Sequence, residues 1–372
     1  MKRAVFFRRF LPGLALAAAV STGLTWGDNG AQHRVQQAAP IKLGTSGSNS
    51  NDINSQYCCG GTLGSLVQDA SGAKYILSNN HVLARVNGAA PGEAIYHRGY
   101  IDASCQPAVT VANLTTFVPI NPSGNKVDAA IARIVTGQVS ASGEILDIGV
   151  PGAQVREPAS RLRVKKSGRT SGLTTGRIIS TNSTVNVQYQ QGCGIGPVFT
   201  AQFTDQFLIS PGSFLQSGDS GSTVFENVSL NPRAVGLGFA GSSLYAVANR
   251  ITNVLSAFGV SMVGAGSTAA SQTLLTPPGQ AQATAVEQRV EAAARAKARY
   301  AAFLSSLPDV VGHGVGLPEN GPDEPVIQIF VEQATDRIRR VAPAALDGFR
   351  VEVLETGVFR AVPNCTACAA CK

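Results

Sequence analysis

The sequence predicts a mainly β fold followed by a small α/β unit, and three observations carry that prediction. From Cys58 to about Val260 the chain breaks into short apolar runs: TLGSLV, YILS, VTVANLTTF, AAIARIV, TVNVQY, TAQFTDQFLI, STVFE and AVGLGF. Each is bounded by Gly, Pro, Asn or Asp, the spacing of a β sandwich or barrel. Composition agrees, since 40 glycines, 44% hydrophobic residues and only 14% charged residues suit short strands and tight turns. The third observation is a change of texture near residue 285, where alanine and evenly spread charge replace the β pattern.

In chain order, residues 1–27 read as an export signal. Lys2, Arg3, Arg8 and Arg9 precede an apolar run, Phe10 to Thr25, that is short for a membrane span. Arg8 and Arg9 partly match a twin-arginine signal, but Sec export is the expected route, with cleavage after Ala19 or near Gly27. Residues 28–40 form an N-terminal extension, 41–262 the β body and 263–284 a small-residue linker containing Pro277 and Pro278. Within 285–362, Val286 to Leu304 lacks Gly and Pro and predicts a helix. VVGHGVGL, PVIQIFVE, TDRIRRVAPAALDGF and VEVLETG then give strand, strand, helix, strand, an α/β unit of its own. Residues 363–372 (PNCTACAACK) read as a mobile tail.

The formal charge of +7 argues little, because removing the four signal charges leaves +3. No stripe of Lys and Arg interleaved with aromatics is present, so nucleic acid is not an expected partner. No stable membrane anchor is expected after signal removal, which places the chain in the periplasm or outside the cell. Seven cysteines are compatible with an oxidising compartment, and their odd number leaves at least one thiol unpaired or shared between molecules.

Gln216 to Val224, QSGDSGSTV, sets Ser220 inside a small-residue turn. A serine hydroxyl becomes a nucleophile when a histidine takes its proton, and the histidine needs a buried carboxylate to orient it. The β body offers His81, after KYILSNN, and His97 in a polar segment. Asp128 directly precedes the apolar AAIARIV, whereas Asp147 precedes only a short IGV. His81, Asp128 and Ser220 therefore form the candidate set. Each has a plainer reading: a solvated turn serine, a core histidine and, for Asp128, a helix N-cap.

The order His81, Asp128, Ser220, each at a strand edge, resembles the chymotrypsin-like serine peptidases. CCGGTLGSLV…YILSNNHVLA, VDAAIARI and SGDSGSTV are similar to that family's histidine, aspartate and serine segments. KKSGRTSGLTTGRI (Lys165 to Ile178) resembles a signature of bacterial secreted members. The resemblance covers roughly residues 41–260 and implies a double β-barrel with the site in the cleft between barrels. It implies His81 as general base, Asp128 as its orienter and Ser220 as nucleophile. It further implies an oxyanion hole at the N–H groups of Gly218 and Ser220. Phe214, Phe239, Ala240 and Gly241 fall where the family binds substrate. A protein or peptide is the implied substrate, and no metal or cofactor is implied.

The departures from the family pattern bear on specificity and cross-linking. Phe214, or a close neighbour, stands at the base of the specificity pocket with no acid there, which favours a small or apolar P1 over Arg or Lys. Val82 replaces the usual cysteine after the histidine, so Cys59 pairs elsewhere, with Cys105 or Cys193 as candidates. Asn79 and Asn80 replace small residues before the histidine, and Ser222 replaces a glycine. Asp219 reads as a turn acid, and a zymogen-like pairing with an N-terminus at Ile41 is the disfavoured alternative. Cys365, Cys368 and Cys371 resemble a C-x-x-C-x-x-C metal segment without a fourth ligand, and disulfide or loose thiols are the plainer reading. His313 reads as a turn residue outside the body. The C-terminal unit is loosely similar to the small domain of narrow-leaf-type trypsin-like proteins, where it precedes the peptidase. The competing function is a catalytically inactive trypsin-like fold that serves as a binding module. An α/β-hydrolase esterase fails on the order of its residues and on Ser222.

Overall fold

The computed structural model describes residues 30–266, 280–318, 323–361 and 364–368. The expected signal segment and most of the linker lie outside them. Two large sheets hold the chain, and the protein is mostly β. Among the described residues the first sheet orders Ser261–Met262, Ser65–Gln68, Lys74–Ser78, Ala130–Ile134, Val109–Phe117, Ala94–His97, Thr45–Asn49, Tyr57–Leu63 and Asn364–Ala367. Leu43, Leu63, Leu66, Ile76, Leu77, Val111 and Ile131 fill its apolar side.

The second sheet runs Val198–Ser210, Ala246–Arg250, Ala234–Gly241, Thr223–Glu226, Arg163–Gly168 and Gly172–Gln190. Val198–Ser210 also pairs with Gly172–Gln190. Gly172–Gln190 shows how sequence sets burial: in STVNVQYQ, Ser183, Val185, Val187 and Tyr189 are buried while the residues between them are half-exposed. That is the two-residue period of a strand with one face on a core.

The C-terminal unit has the expected element order, but its strands do not form a sheet of their own. Val310–Gly316 pairs antiparallel with Gly172–Gln190, and Val326–Val331 and Phe349–Glu355 continue outward. The unit thus lengthens the second sheet and satisfies a strand edge that would otherwise be open to other chains. Its helix begins at Gln280, earlier than the alanine-rich pattern implies.

Three further expectations change. Asp128 lies before a strand, Ala130–Ile134, so the N-cap alternative for it falls. His313 lies within Val310–Gly316 and is 1% exposed, a strand residue and not a turn residue. The segment read as a mobile tail pairs as Asn364–Ala367 with Tyr57–Leu63.

Candidate functional site

His81 sits in a single helical turn, Asn80–Leu83, directly after the strand Lys74–Ser78. That strand pairs with Ala130–Ile134, with Ser78 opposite Ala130. The pairing brings the residues just beyond each strand end together, which are His81 and Asp128. His81 Nδ1 lies 2.5 Å from Asp128 Oδ2, and the His81 backbone N–H points at Oδ1 at 3.2 Å. Both side chains are fully buried. An ion pair or charge-assisted bond so placed is strong only if the remaining carboxylate lone pairs are satisfied.

One further bond to the carboxylate, and two to the Asp128 backbone, come from side chains whose roles the sequence does not show. Tyr189 Oη donates to Asp128 Oδ2 at 2.9 Å. Burial and the Asp128 charge hold that phenol well above its ordinary pKa, so it stays a donor. Asn79 Nδ2 donates to the Asp128 carbonyl at 2.7 Å, and the Asp128 N–H donates to Asn249 Oδ1 at 3.1 Å. Asn80 Nδ2 donates to Asn87 Oδ1 and to the Val118 carbonyl. The two asparagines that stand in place of small residues are therefore buried struts. Tyr189 and Asn249 lie far in sequence from Asp128, and nothing local marks them.

The other sequence candidates have different partners. Asp147 pairs with His33 Nε2 at 2.9 Å. His97 accepts from the Gln37 N–H at 3.0 Å and bonds the Ser46 carbonyl at 2.9 Å, two backbone contacts with no carboxylate. Asp52 is a further carboxylate beside the site: burial pushes it up to about 7 against the opposing pull of Arg85 and His81.

Ser220 is placed by the strand Tyr57–Leu63. The Thr62 N–H donates to the Ser220 carbonyl at 2.9 Å, and Thr62 Oγ1 donates to the Gly218 carbonyl at 2.9 Å. Gly61 shows how near the two halves of the site lie. A Cβ there would fall 2.7 Å from Val82 Cγ2 and 3.2 Å from the Ser220 carbonyl. Gly218 and Gly221 take φ of +92° and +93°, which only glycine adopts cheaply, and so shape the turn around the serine. Among the described residues, neither the Gly218 nor the Ser220 N–H donates a hydrogen bond. Ser220 Oγ lies 3.5 Å from the Phe239 carbonyl.

Asp219 anchors this turn from below. Its carboxylate accepts from the N–H groups of Thr170, Ser171 and Gln216 at 2.8, 3.1 and 3.0 Å, and Lys166 Nζ stands 3.1 Å away. Lys166 and Asp219 are both fully buried, and burial lowers the Lys166 pKa while Asp219 opposes the shift. Ile41 is buried elsewhere, its N–H bonded to the Gln138 carbonyl. The partner of the turn acid is thus a lysine within the KKSGRTSG segment.

A cavity of about 350 Å³ opens beside Ser220, lined in part by Ser213, Leu215, Ala240, Gly241 and Arg360. Of the four residues expected to bind substrate, Ala240 and Gly241 line it. Phe214 and Phe239 point instead into apolar clusters, Phe214 against Ile178 and Ile209, Phe239 against Phe203 and Val247. Cys58 bonds to Cys105 with Cα atoms 5.5 Å apart. Cys59 meets both Cys193 and Cys365, with Cα separations of 5.7 and 4.1 Å. A sulfur forms one disulfide, so these two pairings are alternatives. Cys105 is not the partner of Cys59.

No protein-family model and no curated protein matches the chain. Over about 60% of its length it is similar to solved structures of chymotrypsin-like serine proteases. A glutamic-acid-specific serine protease matches at 19% identity and a TM-score of 0.42, over 60% of this chain and 100% of that one. An α-lytic protease homologue matches at 20% identity and 0.41, over 59% and 98%. Cellulomonas bogoriensis chymotrypsin matches at 15% identity and 0.40, over 60% and 98%.

Proposed function

We propose that the chain is an exported serine endopeptidase that cleaves peptide bonds through an acyl-enzyme. The observation that carries the proposal is the buried His81–Asp128 pair. Its other ring nitrogen, Nε2, is buried and has no hydrogen-bond partner among the described residues, and Gly61 lies against both Val82, the neighbour of His81, and the Ser220 carbonyl. Asp128 holds the imidazole so that Nε2 accepts the Ser220 proton as Oγ attacks the substrate carbonyl. The free N–H groups of Gly218 and Ser220 receive the negative charge that develops on the carbonyl oxygen. His81 returns the proton to the leaving amine, and the same steps with water release the acyl group. The Ser213, Leu215 and Ala240 lining carries no acid, in keeping with a small or apolar P1. Disulfides within the body fit an oxidising destination. Among the described residues no helix is long and apolar enough to cross a membrane.

The test is covalent labelling with a fluorophosphonate, followed by mass identification of the modified residue. Ser220 should be the residue labelled, and Ser220→Ala should lower peptide hydrolysis by about 10⁶-fold. A folded chain that takes up no label and shows no loss on Ser220→Ala would instead be an inactive fold used for binding.

A further inference from the structure

The strand Ala234–Gly241 ends beside Ser220, and its last residue, Gly241, is paired. Its antiparallel partner is Arg360, from the short strand Phe359–Ala361 near the C-terminus. The other side of that short strand pairs in parallel with Gly172–Gln190, at Val187, Gln188 and Tyr189. Phe359 and Ala361 are buried in the cluster of Phe203, Phe239 and Phe330. Arg360 lines the cavity that also contains Ser220, and its Nε donates to Gln188 Oε1 at 3.2 Å. The chain resumes at Asn364–Ala367, antiparallel to Tyr57–Leu63, with Cys365 opposite Cys59 and Asn364 opposite Gly60. Tyr57–Leu63 is the strand whose Thr62 holds the nucleophile turn. Two consecutive pieces of the C-terminus therefore lie on two strands that flank Ser220.

We propose that these two strands, Phe359–Ala361 and Asn364–Ala367, are an autoinhibitory occupant of the substrate cleft, a peptide bound in cis. The proposal rests on the peptidase reading of the same cleft. An extended peptide binds such a site by adding its backbone to an exposed strand, and the edge of Gly241 turned away from Ala246 can take only one partner at a time. Ser220, 5% exposed, shares its cavity with Arg360 of this segment. Among the cavity-lining residues there is no carboxylate to bind the Arg360 guanidinium, so the segment is held by backbone pairing, by Phe359 and by sulfur.

The sulfur contact also supplies a release step. The sulfurs of Cys59, Cys193 and Cys365 lie within 4.8 Å of one another. In the tethered form Cys59 is bonded to Cys365, and the Cys193 thiolate attacks the Cys59 sulfur. The Cys59–Cys193 bond forms as the Cys59–Cys365 bond breaks, and Cys365 leaves as a thiolate. One disulfide and one thiolate stand on each side, so neither oxidant nor reductant is consumed.

A cleavage sequence for a foreign protease, inserted between Gly357 and Val358 of the full chain, tests the proposal. The folded chain is cut and the segment released under mild reductant. Fluorophosphonate labelling of Ser220 should then be about tenfold or more faster than in the uncut, equally reduced chain, because a larger fraction of molecules has an open cleft. A synthetic peptide of residues 358–368 should slow it again. Equal labelling rates in the cut and uncut chains would overturn the proposal. If neither form labels, the peptidase reading fails, and a fluorescent copy of the peptide decides about the occupant. Binding to the cut chain alone upholds it, and no binding overturns it. Should the insertion prevent folding, Cys365→Ser in the intact chain should raise the labelling rate under non-reducing conditions, and an unchanged rate counts against the tether.

Discussion

The β body and the C-terminal unit each bury a histidine to 1% exposure, and the two are handled in opposite ways. His81 in the body meets the carboxylate of a buried aspartate whose carboxylate or backbone three other residues bond. His313 in the C-terminal unit has only Ser305 Oγ at 3.3 Å, and its Nδ1 has no partner among the described residues. Burial, aided by the Lys297 charge, pushes His313 down to about 3. A buried imidazole without a carboxylate is thus a neutral packing element. In the body a second buried group faces the imidazole, and a network of hydrogen bonds holds it there.

The largest expected effect breaks that difference. Asp128→Asn would leave His81 with the wrong tautomer and lower kcat for peptide hydrolysis by about 10⁴-fold, measured on the chain freed of its C-terminal segment. A second prediction concerns Asp52, whose carboxyl is raised to about 7 by burial. Between roughly pH 4 and 7 the folded state binds more protons there than the unfolded state does. The stabilising contribution is full below pH 4 and is lost as pH rises through 7. Asp52→Asn should therefore raise stability at pH 8 by on the order of a few kcal/mol and do little at pH 4, as read by urea denaturation.

His313 carries the opposite slope. Its lowered pKa means that the folded state binds fewer protons between pH 3 and 6.5, so its contribution is present above 6.5 and lost as pH falls through 3. His313→Leu should flatten the acid limb of the stability curve, by about 1–3 kcal/mol at pH 4, and leave activity at pH 7.5 unchanged. An acid limb that stays steep in this variant would show that another group governs the C-terminal unit. Alkaline weakening of the body and acid weakening of its extension would together sharpen the comparison.

Much of this was legible in the sequence, and the parts that were not share a cause. The strand runs, the helix after residue 285 and the segments around His81, Asp128 and Ser220 are local patterns, readable within a few residues. Lys166 lay in view inside KKSGRTSG, but its charge acquires meaning only when Asp219, on a distant turn, is packed against it. Tyr189 read as the apolar end of TVNVQY because nothing nearby announces the carboxylate its hydroxyl meets. Phe214 occupied the expected place in the chain, yet its side chain turns into the core because Ile178 and Ile209 bury it there.

The sequence alone determined the alternation of strands and turns and the short list of polar residues able to do chemistry. Side-chain period, turn residues and propensity act over a handful of positions and need no fold to be read. Tertiary structure decided which members of that list meet. It sent Asp147 to His33 and Asp128 to His81, and set Cys59 between Cys193 and Cys365. It also laid the C-terminal strands along the walls of the cleft. Those outcomes depend on strand register between segments far apart in the chain, where a shift of one residue sends every side chain to the other face.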